Sequence, residues 1–557
     1  MISIKKTKIS KFLPLFLIVF FSIIGMKDLI NPNLYSAHDI WHNVARFYHY
    51  VRAINDGQIM PIWVGTLAKG YGYPLFTFSY HLPWIIGFFF IKLGLSYETA
   101  YKLIFFTSYI GSGLSMYILC KKLFKHKLAA LTSSIVYLWA PFRFFTVFVS
   151  SSIGSAFVFT FLPLVLLGSY IIINDKKKIG GITILSLSLS GMILSHLMSV
   201  SMLLPILGLF IIFLLISKKD SPKNKLRILM LLITSGVISV LITAYYIFPL
   251  LSKIQLIELS NSSIFTEMFK KNFVNLKQLI YSRWGYGPIT FNAKDGEVSF
   301  QVGVIQWLAA ALLTVSIFIK KKFKFKKISL ALIALFSLCI FLMTDKSQFV
   351  WNLISKVLDF DYPFRLLIVV VFIGSIIVGL ALMILPKKIQ VLSSIAFIII
   401  ALYTNRNHIK VNMYTDYSIE TYVESETTTN TFNEYLPDDV NAKFLNEDHL
   451  AFRDKQVIVK NEEQTTNSTI INVSNPSKLD LRTNFVEFPG IVVFVDNVLI
   501  DHYGRKGLVR FDLDAGNHTI EIRYIKTKIE KISLLISLLT LLSLSMANMS
   551  NIRKKIL

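Results

Sequence analysis

The chain has 557 residues, 54% hydrophobic and only 16% charged, with a mean hydropathy of +0.58. This composition excludes an ordinary soluble domain and fits a polytopic α-helical membrane protein. The formal charge of +25 does not call for nucleic acid as a partner, because the lysines cluster between apolar runs, as the positive-inside bias requires.

The basic N-terminus, K-K-T-K-I-S-K, leads into an apolar run at 12–30. No small-x-small cleavage site follows it, so it reads as an uncleaved first span. Next comes Y-S-A-H-D-I-W-H-N-V-A-R-F-Y-H-Y-V-R at 35–52. On a helix of about 100° per residue, Asp39, His42, Arg46 and His49 share one stripe. Ile40, Val44, Phe47 and Val51 gather opposite. Two readings stand at this point. One is a helix lying on the membrane surface with a solvated polar face. The other is a face that carries a general base and phosphate ligands. His38 and His42, with Asp39 between them, also leave a divalent metal open, although no third ligand is spaced to complete a site.

The run at 82–95 starts beside Pro83 and contains Lys92. It is short for a span and reads as a re-entrant or interfacial helix. Longer apolar runs follow at 103–119, 128–148, 153–174, 179–195, 198–217, 228–250, 300–319, 328–343, 364–385, 389–403 and 529–546. With the first run they make about twelve spans. Cys120 ends one run and Cys339 lies inside another, so no disulfide framework is indicated. Abundant Lys, Ile, Asn and Phe fit a bacterium of A/T-rich codon usage.

Charge parity fixes the orientation. With the N-terminus inside and 82–95 left outside, the basic stretches at 121–127, 176–178, 218–227, 320–327, 387–388 and 553–555 all fall inside. Counting 82–95 as a span moves nearly all of them outside, against the bias. Residues 31–101, 251–299, 345–363 and 404–528 are then extracytoplasmic. The last segment alternates apolar and polar residues in V-V-F-V-D, L-V-R-F-D-L and H-T-I-E-I-R-Y, punctuated by Gly490, Gly504, Gly507 and Gly516. This pattern predicts an antiparallel β-sandwich before the last span. The division is a membrane domain at 1–403 with a first outer loop at 31–101 that carries the candidate catalytic stripe, an outer β-rich domain at 404–528, and a final span with a basic cytoplasmic tail at 529–557.

Charge is nearly absent from the middles of the runs. Arg143, His196 and Arg365 stand near run ends, on the same outer face as Asp39 and Arg46. Ionisable groups from separate helices at one membrane edge suggest a convergent site. The plain alternatives are arginines snorkelling to the headgroups and a histidine closing a helix end. With no Asp, Glu or Lys at mid-depth, an ion-coupled transporter is disfavoured, while lipid flipping stays open. There is no phosphate-cradling glycine loop, G-x-S-x-G or CxxC.

Several stretches resemble the GT-C superfamily of integral membrane glycosyltransferases. They are Asp39 in the first outer loop, followed by G-x-G-x-P at 70–74; W-G-Y-G at 284–287 with S-F-Q-V-G at 299–303; Y-P-F-R at 362–365; and P-G-I-V-V-F-V-D-N…G-L-V-R-F-D-L-D-A-G-N-H-T-I-E-I-R-Y at 489–524. The likeness runs the whole length. It is nearest to the bacterial branch that glycosylates teichoic acids and related envelope polymers, some of them labelled 6-pyruvoyl-tetrahydropterin synthase-related. The chain departs from that pattern at Gly154 or Ser155, where members carry Glu, and at Ile491, where they carry Trp.

The resemblance implies a polyprenyl-phosphate sugar as donor, an envelope glycopolymer as acceptor, and attack with inversion. In that scheme Asp39 is the base, and Arg46, His196 and Arg365 hold the leaving phosphate. His42, His49, Arg143, Trp284, Tyr286 and Gln301 complete the substrate-binding candidates. No metal ligands are assigned, and the sugar and any metal requirement stay undefined. The implied location is a bacterial plasma membrane, with both termini cytoplasmic. A non-catalytic polyprenyl-linked glycan carrier or assembly factor is the alternative, and the missing acid near Gly154 favours it.

The topology predicts that cysteines placed at Gly70, Lys277 and Asn467 react with an impermeant thiol reagent in intact cells, whereas one at Ser221 does not. Labelling at Ser221 from outside would reverse the orientation.

Overall fold

A computed structural model of the chain describes residues 2–257, 268–288, 297–320, 323–356, 362–425, 434–440, 452, 454 and 456–556. The apolar runs all fall on helices, though not all on long ones. Seven helices are long and apolar enough to cross a membrane: Tyr97–Phe124, Ile153–Asn174, Leu197–Ser217, Pro222–Ile242, Pro363–Ile384, Lys387–Thr404 and Lys528–Met549. Two bent pairs raise the number to nine if each is one span. Phe12–Gly25, Ile179–Ile193 and Val304–Ile319 are apolar but shorter. The chain is therefore a mostly helical multi-pass membrane protein with a C-terminal sheet domain. Seven to nine described helices meet the length criterion, against the expectation of about twelve.

Two expected spans are not continuous, and a third is followed by a sharp bend. The run at 128–148 breaks into Lys127–Leu138 and Pro141–Val149, bent by 48°. Pro141 has no N–H for the helical ladder, and its ring holds Ala140 extended (φ −75, ψ 142). The second piece ends in a π-helical turn, Phe145–Val149. The run at 228–250 stops at Ile242, and a separate helix, Ala244–Lys253, follows Thr243. Lys326–Leu342 turns through 94° into Asp345–Ile354. The 82–95 run is an 11-residue helix, Leu82–Lys92.

Pro363–Ile384 is the central helix, with 94% of its apolar window buried. It is hydrophobic all round, as a helix surrounded by other helices must be. Its first turn carries Arg365 toward the outer domain.

The strands lie almost wholly in the outer domain. The exception is a short antiparallel pair, β1 (Leu34–Tyr35) with β2 (Tyr414–Thr415), which ties the first outer loop to the segment after the Gln390–Thr404 helix. Then follow β3 (Ile458–Gln464), β4 (Ser468–Asn475), β5 (Leu479–Val486), β6 (Ile491–Val495), β7 (Val498–Ile500), β8 (Tyr503–Arg505), β9 (Leu508–Leu513) and β10 (Gly516–Tyr524). They form a five-stranded sheet, β3-β4-β10-β6-β7, and a three-stranded sheet, β5-β9-β8, both antiparallel. Ile471, Val473, Ile520 and Ile522 from one sheet and Leu481, Val509, Phe511 and Leu513 from the other are buried. That is the alternation of two sheets packed face to face. The sandwich begins at 458 rather than at 404. Among the described residues before it lie β2, a short helix, Ile419–Glu424, and the stretch 434–440.

A polar knot docks the sandwich on the bundle. Lys253, buried, pairs with Glu530 and donates to the Pro489 carbonyl (3.2 Å) and the Tyr524 hydroxyl (3.1 Å). The Tyr524 hydroxyl donates to Glu530 (2.7 Å). Trp63 of the first outer loop stacks on Tyr524 and on Phe488. Asp56 receives both the N–H and the hydroxyl of Thr466 (2.9 and 2.8 Å).

Gly490 sits at this knot with φ +116, and a Cβ there would lie 2.7 Å from the Tyr524 ring and 2.8 Å from the Ile525 carbonyl. Gly490→Val should therefore destabilise the protein by about 1–3 kcal/mol through backbone strain alone. A lowered thermal midpoint in detergent micelles is the readout, and an unchanged midpoint would refute the need for glycine.

Candidate active site

The segment that presents Asp39 is held by its backbone. The His38 N–H donates to the Val149 carbonyl (3.0 Å) and the Asp39 N–H to the Ser150 carbonyl (2.9 Å). Those carbonyls stand where the π-helical turn ends. Ser151, next in the chain, is fully buried in a left-handed conformation (φ +52). Such strain needs support from its surroundings. The Ser151 hydroxyl meets those of Tyr35 (3.1 Å) and Tyr101 (2.9 Å), and its carbonyl accepts from Asn43 (3.0 Å). Two helices and a loop thus fix the entry to the Ile40–Asn55 helix. Asp39 occupies the N-cap position of that helix, but its carboxylate makes no capping bond.

The Asp39 side chain keeps 40% of its surface open. Burial raises its pKa to about 6, with Arg365 and then Arg46 pulling the other way. His42 Nε2 lies 3.9 Å from the carboxylate. Burial and the charge of Arg46 hold the His42 imidazole well below its ordinary pKa, so it is neutral and the contact is not an ion pair.

Arg365 and His196 come together, with Nη1 of Arg365 3.2 Å from Nε2 of His196. His196 Nδ1 accepts the Ser199 N–H (3.1 Å) and caps the Leu197–Ser217 helix. Burial, aided by Arg365, lowers the His196 pKa to about 3. A neutral ring whose Nδ1 accepts must carry its proton on Nε2. Two donors therefore meet at 3.2 Å. They do not satisfy each other, whereas one anionic oxygen would accept from both. Tyr80 stacks on His196 (6.2 Å between centroids) and donates to Asn43 Oδ1 (3.2 Å). A Cβ on Gly154 would lie 2.3 Å from the Ser195 carbonyl and 3.1 Å from both His196 and Tyr80. Glycine is required there by close approach, which accounts for the absence of an acid at that position. The Ser155 hydroxyl accepts from Ser152 (2.8 Å).

The polar stripe of the Ile40–Asn55 helix is not solvated, which corrects the membrane-surface reading. Arg46 and His49 are buried along with the apolar side. Trp41 packs on Tyr417 and Tyr422, and residues 434–440 cover Arg46. Arg46 Nη2 lies 3.6 Å from the carboxylate of Glu434, also buried, and Tyr73, Tyr80 and Tyr435 surround it. Glu434 was missed in the sequence. Its only available signal was that a buried guanidinium requires a carboxylate, and nothing local couples position 434 to position 46. His49 makes no hydrogen bond among the described residues, and burial, aided by Arg52, keeps it neutral with a pKa of about 3.

Trp284, Tyr286 and Gln301 form a second cluster around residues 405–410. Trp284 stacks on His408 (4.2 Å), Gln301 Nε2 lies 3.4 Å from His408 Nε2, and the Tyr286 hydroxyl donates to the Lys410 carbonyl (2.7 Å). His38 Nε2 bonds the Gly287 carbonyl (2.8 Å), which joins this cluster to the residue beside Asp39. Arg143 does not join either group. It is fully buried between the rings of Tyr109 and Phe159 and donates to Ser112 (3.1 Å). Its role is to fill and brace the bundle. Among the described residues, no three His, Cys, Asp or Glu side chains gather to hold a metal ion.

No protein-family profile matches the chain. An uncharacterized protein of Lactococcus lactis subsp. cremoris (strain MG1363) is 24% identical over 243 residues, which is 43% of this chain and 39% of that protein. Among solved structures, arabinofuranosyltransferase AftD from Mycobacteria is similar at a TM-score of 0.47 and 13% identity, over 71% of this chain and 26% of AftD. The Archaeoglobus fulgidus oligosaccharyltransferase gives 0.46 and 12%, over 72% and 56%. ArnT from Cupriavidus metallidurans, bound to undecaprenyl phosphate, gives 0.44 and 12%, over 70% and 63%. These neighbours are GT-C glycosyltransferases. The chain spans less than two thirds of each relative, and at this similarity their activities do not transfer to it.

Arg365→Lys keeps the charge but loses the planar fork. If the fork and His196 together grip a phosphate, the change should weaken undecaprenyl phosphate binding by on the order of 1–3 kcal/mol. Unchanged affinity would reduce Arg365 to a residue at the membrane edge.

Proposed function

We propose that the chain is an inverting membrane glycosyltransferase of the GT-C type. It moves a sugar from a polyprenyl-phosphate donor to an envelope glycopolymer, a teichoic acid or polysaccharide, at the outer face of a bacterial plasma membrane. The observation that carries this reading is the pairing of a carboxylate of raised pKa with two convergent donors, Arg365 and His196. Asp39 takes the proton of an acceptor hydroxyl. The oxygen attacks the anomeric carbon, and the bond from that carbon to the phosphate oxygen breaks. The phosphate leaves with the bonding electrons as an anion held by Arg365 and the Nε2–H of His196. The bilayer keeps the polyprenyl tail, and the outer sandwich offers a surface to the acceptor.

The alternative is a polyprenyl-linked carrier or assembly factor that makes no bond. The crowded Gly154, which leaves no room for an acid at that position, favours it.

Reconstituted protein with labelled polyprenyl-phosphate sugars decides between them. Asp39→Asn should fold and bind donor yet lose transfer by about a hundred- to ten-thousand-fold. The carboxylate is the working form, so the wild-type rate should fall as pH drops through about 6 and level off above it. Full transfer by Asp39→Asn would remove Asp39 as the base. Absence of transfer by the wild type with every donor would select the carrier.

A further inference from the structure

The buried pair of Arg46 and Glu434 has a geometry that matters for ligand entry. At 3.6 Å the two heads are an ion pair at more than hydrogen-bond distance. Glu434 reaches the recess from outside, on the described stretch 434–440. That stretch lies across the first outer loop like a strap. The Tyr435 N–H donates to the Tyr73 hydroxyl (3.0 Å), and the Tyr435 ring stacks on Phe78 (5.4 Å). Pro437 faces Ile257 across a single antiparallel bridge, and the Asp438 N–H donates to the Leu256 carbonyl (3.1 Å).

Tyr80 joins the two groups: it stacks on His196 (6.2 Å between centroids) and donates to Asn43 (3.2 Å), one helical turn before Arg46, and the charges of Arg46 and Arg365 both lower the Asp39 pKa. An anion held by Arg365 and His196 therefore enters the field of Arg46 as well. Arg46 already faces a carboxylate there. Two anions sharing one guanidinium in a desolvated recess repel each other, and one must leave or be neutralised.

We propose that Glu434 is the resident anion of an Arg46 subsite, and that the phosphate of a lipid-linked donor takes Arg46 over by displacing the strap that carries Glu434. This rests on the donor reading above. It adds that donor binding and strap release are one event, so the outer domain meets the acceptor with the strap displaced only when donor is present. The carboxylate stands in for the phosphate until then. A competitor covalently attached to the protein lowers the apparent affinity by the fraction of time it occupies the site.

The test measures undecaprenyl phosphate binding to the full chain in nanodiscs of neutral lipid. Glu434→Gln keeps the shape of the side chain and removes its charge, and it should bind on the order of tenfold more tightly than wild type. An Ile257→Cys, Pro437→Cys pair, oxidised to a disulfide across the bridge, should bind at least tenfold more weakly, and reduction should restore it. The lock answers the question even if Glu434→Gln folds poorly. Wild-type binding with an indifferent Glu434→Gln and an indifferent lock overturns the displacement and leaves the donor reading standing. No binding by any form, reduced or oxidised, overturns both. Inorganic phosphate at the same concentration tests the source of the anion. If it protects the cysteine pair from oxidation as well as the lipid does, the assignment to a lipid-linked phosphate fails.

Discussion

A guanidinium buried at Arg46 is the constraint on which the outer half of the structure depends. Leaving such a charge in a dry interior without an opposite charge costs several kcal/mol. The Ile40–Asn55 helix does not supply that charge at close range, because the acid at its start, Asp39, lies against His42 and keeps 40% of its side chain open. The compensating carboxylate comes from Glu434, nearly four hundred positions away. Once Glu434 must lie on Arg46, the segment around it must cross the first outer loop. Tyr73 and Phe78 then become its supports. The outer domain is thereby part of the recess rather than an appendage to it.

A second constraint acts from below. The π-helical turn at Phe145–Val149 and the left-handed Ser151 shift two carbonyls into the path of the first outer loop. His38 and Asp39 bond to those carbonyls in the manner of a short strand. A regular helix would have kept the carbonyls inside its own ladder. The irregularity is supported by the hydroxyls of Tyr35 and Tyr101, so the strain at Ser151 is offset where it arises. Holding Asp39 by backbone bonds leaves its carboxylate oriented by charge alone.

Much of the architecture was legible in residue pattern. Apolar runs located the helices, and period-two alternation gave the sandwich strands. The breaks were less legible. Pro141 predicts an interruption, but a proline can also sit in a kinked span, and Pro163 and Pro205 do so within continuous helices. What decides is whether neighbouring groups take up the carbonyls that are set free. At the recess, His196 and Arg365 could be paired from their shared membrane edge. Arg143 looked the same by that measure, yet Tyr109 and Phe159 hold it inside the bundle. Edge position alone cannot separate a cation that faces a recess from one that stacks on rings. Glu434 was illegible because its partner is set by tertiary packing and not by any spacing.

The knot of Lys253, Tyr524 and Glu530 shows how these constraints meet. Lys253 ends the Ala244–Lys253 helix, Glu530 opens the last helix, and Tyr524 ends β10. Removing Lys253 or Glu530 would leave its buried partner's charge uncompensated, and such losses cost about 3–5 kcal/mol. Trp63 lies against the same Tyr524, so the first outer loop is clamped to the sandwich at the point where the sandwich is clamped to the membrane helices. The loop that carries Asp39 is thus fixed at one end by the π-helical turn and at the other by the outer domain. Beside and between these anchors its side chains meet charged groups of other elements: Asp39 lies in the field of Arg365 and Arg46, and Arg46 faces Glu434. The fold concentrates rigidity at the ends of the loop and leaves the charge-bearing side chains between them to answer to a ligand.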